Sequence, residues 1–399
     1  MPVSAPRVFL VAGEPSGDAL GAGLVEALRQ AEPSVVCRGV GGHRMVAAGM
    51  DLVFPYDDLA VMGLVEVLPR YFRIRRRWQQ VMAAIAAFDP DVVVTIDSSG
   101  FNKPIAKRLI KQGSTARRVH YVAPMVWAWR PGRAETFARL FHHLLVLFPF
   151  EPPYFTKHGL RTTCVGHPAV EAAPGDGQAF RTAHGLTPET PLLAVLPGSR
   201  RGEVDRLLPV FRLALDRVAD AVPGLHLVFP TVPLVEDAVR QAAAGLGIPA
   251  IVTADAAEKR HALAAANAAL AASGTVTLEL ALARVPMVST YRLNPITAGI
   301  GRHILNVTSA SLPNLLAGRK LVPELLQEYC TPEAVAAALT PLLSDTPARR
   351  AQIAGFREIA ETLEPPHGSP SGAAAAMVLE EAAVRRNAKS AGVRDSLSD

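Results

Sequence analysis

The chain has 399 residues, of which 49% are hydrophobic, 19% charged and 6% aromatic, and its formal net charge is +5. That length suits two or three domains, each with its own core, and the apolar fraction excludes a mainly disordered chain. The 30 glycines and 33 prolines are scattered rather than periodic, which excludes a fibrous protein, and the slight basic excess favours anionic partners without naming one.

Three cysteines, Cys37, Cys164 and Cys330, lie far apart with no CxxC pair. Neither a zinc site nor a disulfide framework is expected, and a reducing compartment fits. The opening MPVSAPRVFLVAGEPSGD has no basic leader, and its apolar run is too short for a signal peptide. The longest uncharged stretch, Ala262–Leu278, is mostly alanine interrupted by Asn, Ser, Gly and Thr, too weakly apolar to span a bilayer. A cytoplasmic protein, soluble or peripheral, is expected.

Short apolar runs alternate with helical patterns along the chain. RVFLVA, VVCRGVGG, DVVVTID, RRVHYVAP and HLLVLFPF read as strands, with ALGAGLVEALRQ as the first helix. A second series begins after the Pro- and Gly-rich stretch at 165–178: PLLAVLPGSR, LHLVFPTV, AIVTAD, AALAAS and PMVSTYR, with helices such as EVDRLLPVFRLALDRVADAV between them. Near-continuous apolar runs of this kind are parallel strands buried on both faces. The expected fold is α/β, with two Rossmann-like parallel-sheet domains facing a cleft. The expected boundaries are 1–167, 168–364, and a C-terminal helix with a frayed tail over 365–399.

Ligands of open parallel sheets bind beyond the carboxyl ends of the strands, so the residues after each strand carry the functional signal. The first such turn holds Gly13, Glu14, Ser16, Gly17 and Asp18. It lacks GxGxxG, and its two carboxylates would repel a pyrophosphate. Either Glu14, Ser16 and Gly17 read hydroxyls or amides of a substrate, or the turn serves helix capping alone. Residues 59–78, LAVMGLVEVLPRYFRIRRRW, join apolar side chains to Arg70, Arg73, Arg75, Arg76 and Arg77. That mixture reads as a patch for an anionic membrane surface, or else as a buried helix with a solvated basic end. A nucleic-acid partner would need more than this one cluster.

Asp97 ends the strand DVVVTID, which aims its carboxylate at the cleft. Asn102, ahead of Lys103-Pro104, is the expected N-cap of the next helix, leaving Asp97 free for catalysis. The only DxD, Asp89-Pro90-Asp91, precedes that strand and so stands at the wrong end of the sheet to serve as a metal site. No metal or cofactor is expected, since arginine and helix N-termini can do a metal's work. His120 and His167 follow strand-like segments and either touch ligand or sit satisfied in the fold. Trp127 and Trp129, beside Arg130, form either a sugar or lipid wall or core packing.

In the second series, Gly198, Ser199 and Arg200 follow the strand LLAVL, and Ser273, Gly274 and Thr275 follow AALAA. Free N–H groups and the helix dipole favour an anion at both turns, Arg200 can add a charge-assisted bond to a phosphate oxygen, and Glu279 can reach sugar hydroxyls. Together they point to a nucleotide diphosphate.

The segments AGEPSGDALGAGL, GVGGHRMVAAGM, VMGLVEVLPR, HYVAPMVWAWR, LFPFEPPYF, VGHPAVE, LPGSRRGEV, ASGTVTLE and SLPNLLAGRKLVPELLQE, in this order, resemble the lipid-A-disaccharide synthases from about Arg7 to about Leu339. The resemblance implies a glycosyltransferase of the GT-B arrangement. It would join UDP-2,3-diacylglucosamine to 2,3-diacylglucosamine 1-phosphate (lipid X), forming a β(1→6) disaccharide and releasing UDP. It also implies Asp97 as catalytic base, Arg200 as the essential arginine near the donor diphosphate, Asn314 in SLPNLL as a functional asparagine, and Ser273, Gly274, Thr275 and Glu279 as the nucleotide-binding turn and helix. One departure stands out: IDSSGFN places Gly100 where the family commonly has a second aspartate. Another two-domain UDP-sugar enzyme, transferase or epimerase, and a non-catalytic sugar-nucleotide sensor remain as alternatives, and a homo-oligomer is compatible with the sequence.

Overall fold

A computed structural model describes residues 5–56, 67–127, 131–171, 173–292, 309, 311–365 and 368–395. The chain divides into two compact units. The first comprises Met1–Pro168 together with Leu363–Asp399, and the second comprises Ala169–Thr362. The stretch expected as a separate tail, 365–399, is thus grouped with the first unit.

The first unit is built on β1 (Arg7–Ala12), β2 (Val36–Gly41), β3 (Asp51–Pro55), β4 (Val92–Ile96), β5 (Arg117–Tyr121), β6 (His143–Val146) and β7 (Arg161–Cys164). They form one parallel sheet in the order β3-β2-β1-β4-β5-β6-β7. The connecting helices are α1 (Pro15–Ala31), α2 (His43–Ala47), α3 (Val67–Phe88), α4 (Ser99–Lys111), α5 (Arg133–Leu140) and α6 (Pro152–Thr156). Alternate residues of the central strands feed opposite faces. Phe9, Val11, Val40 and Val93 meet Val81, Ile85 and Phe88 of α3 and Ile105 and Leu109 of α4 in one buried cluster. Each such side chain contributes about 1.5–3 kcal/mol by leaving water.

The second unit carries β8 (Leu192–Leu196), β9 (His226–Pro230), β10 (Ala250–Thr253), β11 (Ala268–Ala272), β12 (Met287–Tyr291) and β13 (Glu324–Leu326), parallel in the order β10-β9-β8-β11-β12-β13. Its helices are α7 (Gly177–Ala183), α8 (Arg201–Ala221), α9 (Glu236–Ala244), α10 (Ala256–Ala265), α11 (Thr275–Leu282), α12 (Leu312–Ala317), α13 (Pro332–Leu339) and α14 (Pro347–Leu363). Leu193, Val195, Leu227 and Leu270 of the sheet pack on Val204, Leu207 and Phe211 of α8 and on Val335 and Leu339 of α13.

The last helix, α15 (Pro370–Asp395), packs on α1, β4 and β5. Its Ala374, Ala375, Val378 and Ala382 are fully buried. A charged row beside them fixes the register. The fully buried Glu381 carboxylate lies 2.6 Å from Arg117 Nε, 3.2 Å from His143 Nδ1 and 3.2 Å from an Arg161 guanidinium nitrogen. Burial alone would raise the Glu381 pKa, but hydrogen bonds from His143 and Arg117 outweigh burial and hold it at about 2. One turn on, the buried Arg385 reaches Asp89 at 2.5 Å and Asp91 at 3.4 Å. Asp91 also accepts the Arg7 N–H at 3.0 Å. The DxD pair therefore stands at the amino end of β4 and is engaged with α15.

Glu381→Ala removes a buried partner from three basic groups, two of them part-exposed, and should cost about 3 kcal/mol in urea unfolding. Because its folded pKa is depressed, this contribution is complete above the ordinary glutamate value of 4.5 and is lost as the pH falls through about 2. The difference between wild type and variant should shrink along that acid limb, and an unfolding midpoint equal to wild type at pH 7 would show the network to be idle.

Candidate active site

In the first unit the strand order reverses between β1 and β4, whose last residues Ala12 and Ile96 are register partners. The turns leaving these strands diverge, and ligands of doubly wound sheets bind in the resulting crevice. Glu14 and Asp97 follow these two strand ends, and the hydroxyl of Ser98, next to Asp97, donates to Glu14 Oε1 at 3.2 Å. Gly17 lets α1 come down close to this edge, since a Cβ on it would lie 3.3 Å from Ala12 Cβ and 3.7 Å from the Ile96 carbonyl. Ser16 is exposed in the first turn of α1.

Asn102 does not cap the next helix. Helix α4 begins at Ser99, so Asn102 lies within it, and its Nδ2 donates back to the carbonyls of Ile96 at 3.0 Å and Asp97 at 2.9 Å. The side chain thus clamps the end of β4 itself. The clamp accompanies strain: Asp97 (φ 47°), Ser98 (φ 37°) and, one strand over, the β-branched Val122 (φ 80°) all adopt left-handed backbone. Such residues cost about 1–3 kcal/mol each and cluster at functional edges. Burial raises the pKa of the half-buried Asp97 above the ordinary aspartate value, with the Ser98 N–H pulling the other way. A raised carboxyl is a stronger base near neutrality.

Asp18, the second carboxylate of the first turn, is buried and already committed. It accepts the N–H groups of Gly42 at 2.7 Å, Arg44 at 3.2 Å and Met45 at 3.2 Å, capping α2 rather than its own helix. His120 is core: it is fully buried, its Nδ1 lies 2.7 Å from Thr95 Oγ1, it packs between Phe137 and Phe141, and burial pushes its pKa down to about 3. His167 stacks on Phe148, Trp127 meets Phe150 edge-on, and burial holds His167 at about 4, so it is neutral at pH 7. Trp129, Arg130 and residues 59–66 of the basic-apolar segment lie outside the described residues. In the part of that segment within α3, Arg75 and Arg76 are exposed, Arg77 lies over the Phe54 ring at 4.4 Å, and Trp78 donates to the Phe101 carbonyl at 3.1 Å.

Motif reading alone misses Glu151. This buried carboxyl accepts the N–H groups of Leu147 at 3.1 Å and Phe148 at 3.0 Å just beyond β6, and burial raises it to about 7. Its one sequence signal is an acidic residue set among aromatic and proline residues in LFPFEPPYF.

The second unit repeats the arrangement. Its order reverses between β8 and β11, where Leu196 and Ala271 are partners, so the turn of Gly198, Ser199 and Arg200 adjoins that of Ser273, Gly274 and Thr275. Gly198 adopts φ 124°, a conformation that L side chains rarely reach. Ser199 and Arg200 are exposed ahead of α8, and Gly274 and Thr275 are exposed at the start of α11. Four steps into α11, Glu279 is part-exposed and paired with Lys259 Nζ at 2.6 Å. That lysine carries no motif and is brought in by α10.

Asn314, in α12, is buried and its amide is used internally. Oδ1 accepts the N–H groups of Leu321 at 2.8 Å and Val322 at 2.7 Å, while Nδ2 donates to the Val322 carbonyl at 2.9 Å and to Glu324 at 3.0 Å. Glu324 also takes the Ser311 N–H at 2.7 Å and the Ser309 hydroxyl at 2.5 Å, so both serines and Asn314 are tied to the start of β13. Helix α12 packs on α11, next to the second turn.

A family model described as lipid-A-disaccharide synthetase matches residues 8–378. The chain belongs to this family. A lipid-A-disaccharide synthase of Rhodospirillum centenum is 48% identical over 375 residues, covering 93% of this chain and 94% of that one. Those of Gluconobacter oxydans (44% identical, 94% of this chain and 90% of that one) and Paramagnetospirillum magneticum (47%, 94% and 97%) agree. Membership makes the protein a glycosyltransferase that forms the lipid A disaccharide. Solved structures similar in fold include the glycotransferase of kitacinnamycin (TM-score 0.62, 18% identical, 94% of this chain and 99% of that one). Another is the UDP-GlcNAc 2-epimerase of Neisseria meningitidis (TM-score 0.59, 11% identical, 94% and 98%). At these identities the likeness shows the fold alone, that of two parallel-sheet α/β units of the GT-B class.

Asn314→Ala would strip partners from two backbone N–H groups, a carbonyl and a carboxylate of this synthase. We expect a loss of about 2–4 kcal/mol by urea unfolding, since each buried group left unpaired costs about 1–3 kcal/mol and water can reach part of the site. Wild-type stability would mean that the amide is dispensable to the fold.

Proposed function

We propose that the chain transfers the diacylglucosaminyl group of UDP-2,3-diacylglucosamine to the primary hydroxyl of lipid X, with inversion, giving the β(1→6) disaccharide 1-phosphate and UDP. Asp97 is the general base, with Glu14, Ser16 and Gly17 lining the acceptor side. Gly198, Ser199 and Arg200, with Ser273, Gly274 and Thr275, hold the donor diphosphate, and Glu279 receives the ribose hydroxyls. Asn314 braces the segment beside them. The observation that carries this division is that each sheet reverses its strand order at the edge where these residues leave it. One reversal gathers carboxylates and the other gathers glycines, helix N-termini and an arginine.

The chemistry follows from that division. An α-linked donor gives a β product by one in-line displacement, in which the acceptor oxygen bonds to C1 while the bond from C1 to the diphosphate oxygen breaks. The acceptor proton passes to Asp97, and such general-base help is worth about 10²–10⁴-fold. Charge growing on departing UDP meets Arg200 and the N-termini of α8 and α11, donors fixed before the reaction begins. Raising the Asp97 pKa by burial brings the base nearer the operating pH.

The decisive test is Asp97→Asn, which keeps size and most hydrogen bonding but removes basicity. Turnover should fall about 10²-fold or more, with UDP affinity within a few-fold. In the wild type, kcat/KM should rise with pH through a value above the ordinary aspartate pKa, and the variant should lose that limb. Stability has the opposite sign. With its folded pKa raised, ionised Asp97 subtracts stability as the pH rises through that value, so the variant's Tm at pH 7 should equal or exceed wild type. Near-normal turnover would remove Asp97 as base and make Glu14 the next candidate.

Peripheral attachment to an anionic membrane belongs to the same proposal, since both substrates carry acyl chains. Among the described residues no helix is long and apolar enough to cross a membrane. Among the described side chains of α3, Arg75 and Arg76 are exposed cations, and changing both to Ser should lower sedimentation with phosphatidylglycerol vesicles and flatten its salt dependence. Unaltered sedimentation at low salt would refute the patch.

A further inference from the structure

The turn assigned above to the donor diphosphate is already occupied by an anion of the protein's own. Glu203, the third residue of α8, turns its carboxylate back into it: Oε2 accepts the Ser199 N–H at 3.1 Å and Oε1 pairs with an Arg200 guanidinium nitrogen at 3.0 Å. The glutamate side chain is 14% exposed, whereas that of Arg200 is 63% exposed. Gly198 makes the room, since a Cβ there would come within 2.6 Å of Glu203 Cβ and 2.7 Å of its Oε2. One glycine, one backbone N–H and one guanidinium thus form a seat that Glu203 fills. A diphosphate needs these same donors, and its charge would lie against the carboxylate in the same small space.

We propose that Glu203 is an internal competitor of the donor diphosphate. It closes the seat when the site is empty, rotates outward when nucleotide enters, and by returning hastens the release of UDP. The proposal rests on the reading that the 198–200 turn holds the diphosphate. Its logic is that of a two-state site, in which apparent affinity is the intrinsic affinity reduced by the fraction of molecules with the seat open. Removing the competing charge raises that fraction, so affinity rises for any ligand that brings phosphate to the seat.

The test is calorimetric titration of the full chain with UDP and with uridine, for wild type and Glu203→Gln. Glutamine keeps the length and can still accept an N–H bond but carries no charge. UDP should bind about five- to tenfold more tightly, uridine should bind as before, and UDP should become a stronger product inhibitor. Unchanged or weaker UDP binding overturns the proposal, because Glu203 would then be a brace for Arg200. Equal tightening for uridine overturns it as well, since the effect would not lie at the phosphates. If Glu203→Gln proves unstable by thermal unfolding, Glu203→Ala removes the same charge and carries the same expectation. Arg200→Ala separates this proposal from the reading beneath it. Loss of UDP affinity in that variant, with no tightening in the Glu203 variants, leaves the diphosphate seat in place and discards the competitor. Unaltered UDP affinity in Arg200→Ala discards the seat.

Discussion

The proposed active site depends on parallel strands whose order reverses partway through each sheet. Where neighbouring strands send their connections to opposite faces, two turns part and their backbone N–H groups and side chains are left facing open space. The reversal between β1 and β4 brings the turn of Glu14 beside that of Asp97 and Ser98, and the reversal between β8 and β11 brings the arginine turn beside the Ser-Gly-Thr turn. Neither pairing needs a direct bond between its partners. The hydrogen-bonded ladders hold them at strand spacing, with buried aliphatic side chains on both faces to fix the register.

The sequence made this layout legible because buried parallel strands are nearly continuous apolar runs. LLAVL and AALAA announce themselves, and the residue after each is the start of a turn wherever the sheet ends up. Gly198 was readable for the same reason, as a glycine following such a run and proline. What was illegible was the use made of polar side chains over distance. Asp18 looks like a helix cap from spacing alone, yet its partners are Gly42, Arg44 and Met45. Asn102 before Lys-Pro looks like an N-cap, but α4 starts earlier because the strained Asp97-Ser98 pair turns the chain at once. Asn314 carries a family motif, and nothing in its neighbourhood says that Leu321, Val322 and Glu324 will consume its amide.

Electrostatics separates the two crevices as clearly as geometry does. In the first unit, burial works against ionisation: Asp97, after β4, is raised, and Glu151, beyond β6, reaches about 7. The Glu151 carboxyl can take up a proton near neutral pH, and Asp97 is shifted in the same direction. In the second unit's turns two glutamates are instead matched to cations, Glu203 to Arg200 and Glu279 to Lys259. Base chemistry asks for the first environment and anion recognition for the second. In the proposed mechanism one class of fold supplies both by changing what stands behind each carboxylate.

The return of the final helix to the first unit has a consequence for how the molecule is made. Synthesis proceeds from the amino end, so the strands β1 to β7 emerge long before α15, whose buried alanines and Glu381 cover α1, β4 and β5. Residues 169–362 form a contiguous unit that can fold on the ribosome as soon as it has emerged. The first unit must wait with that surface uncovered, and with Arg117 and Arg161 lacking their partner, until the last segment arrives. The unit that begins the chain is therefore the one that finishes folding last.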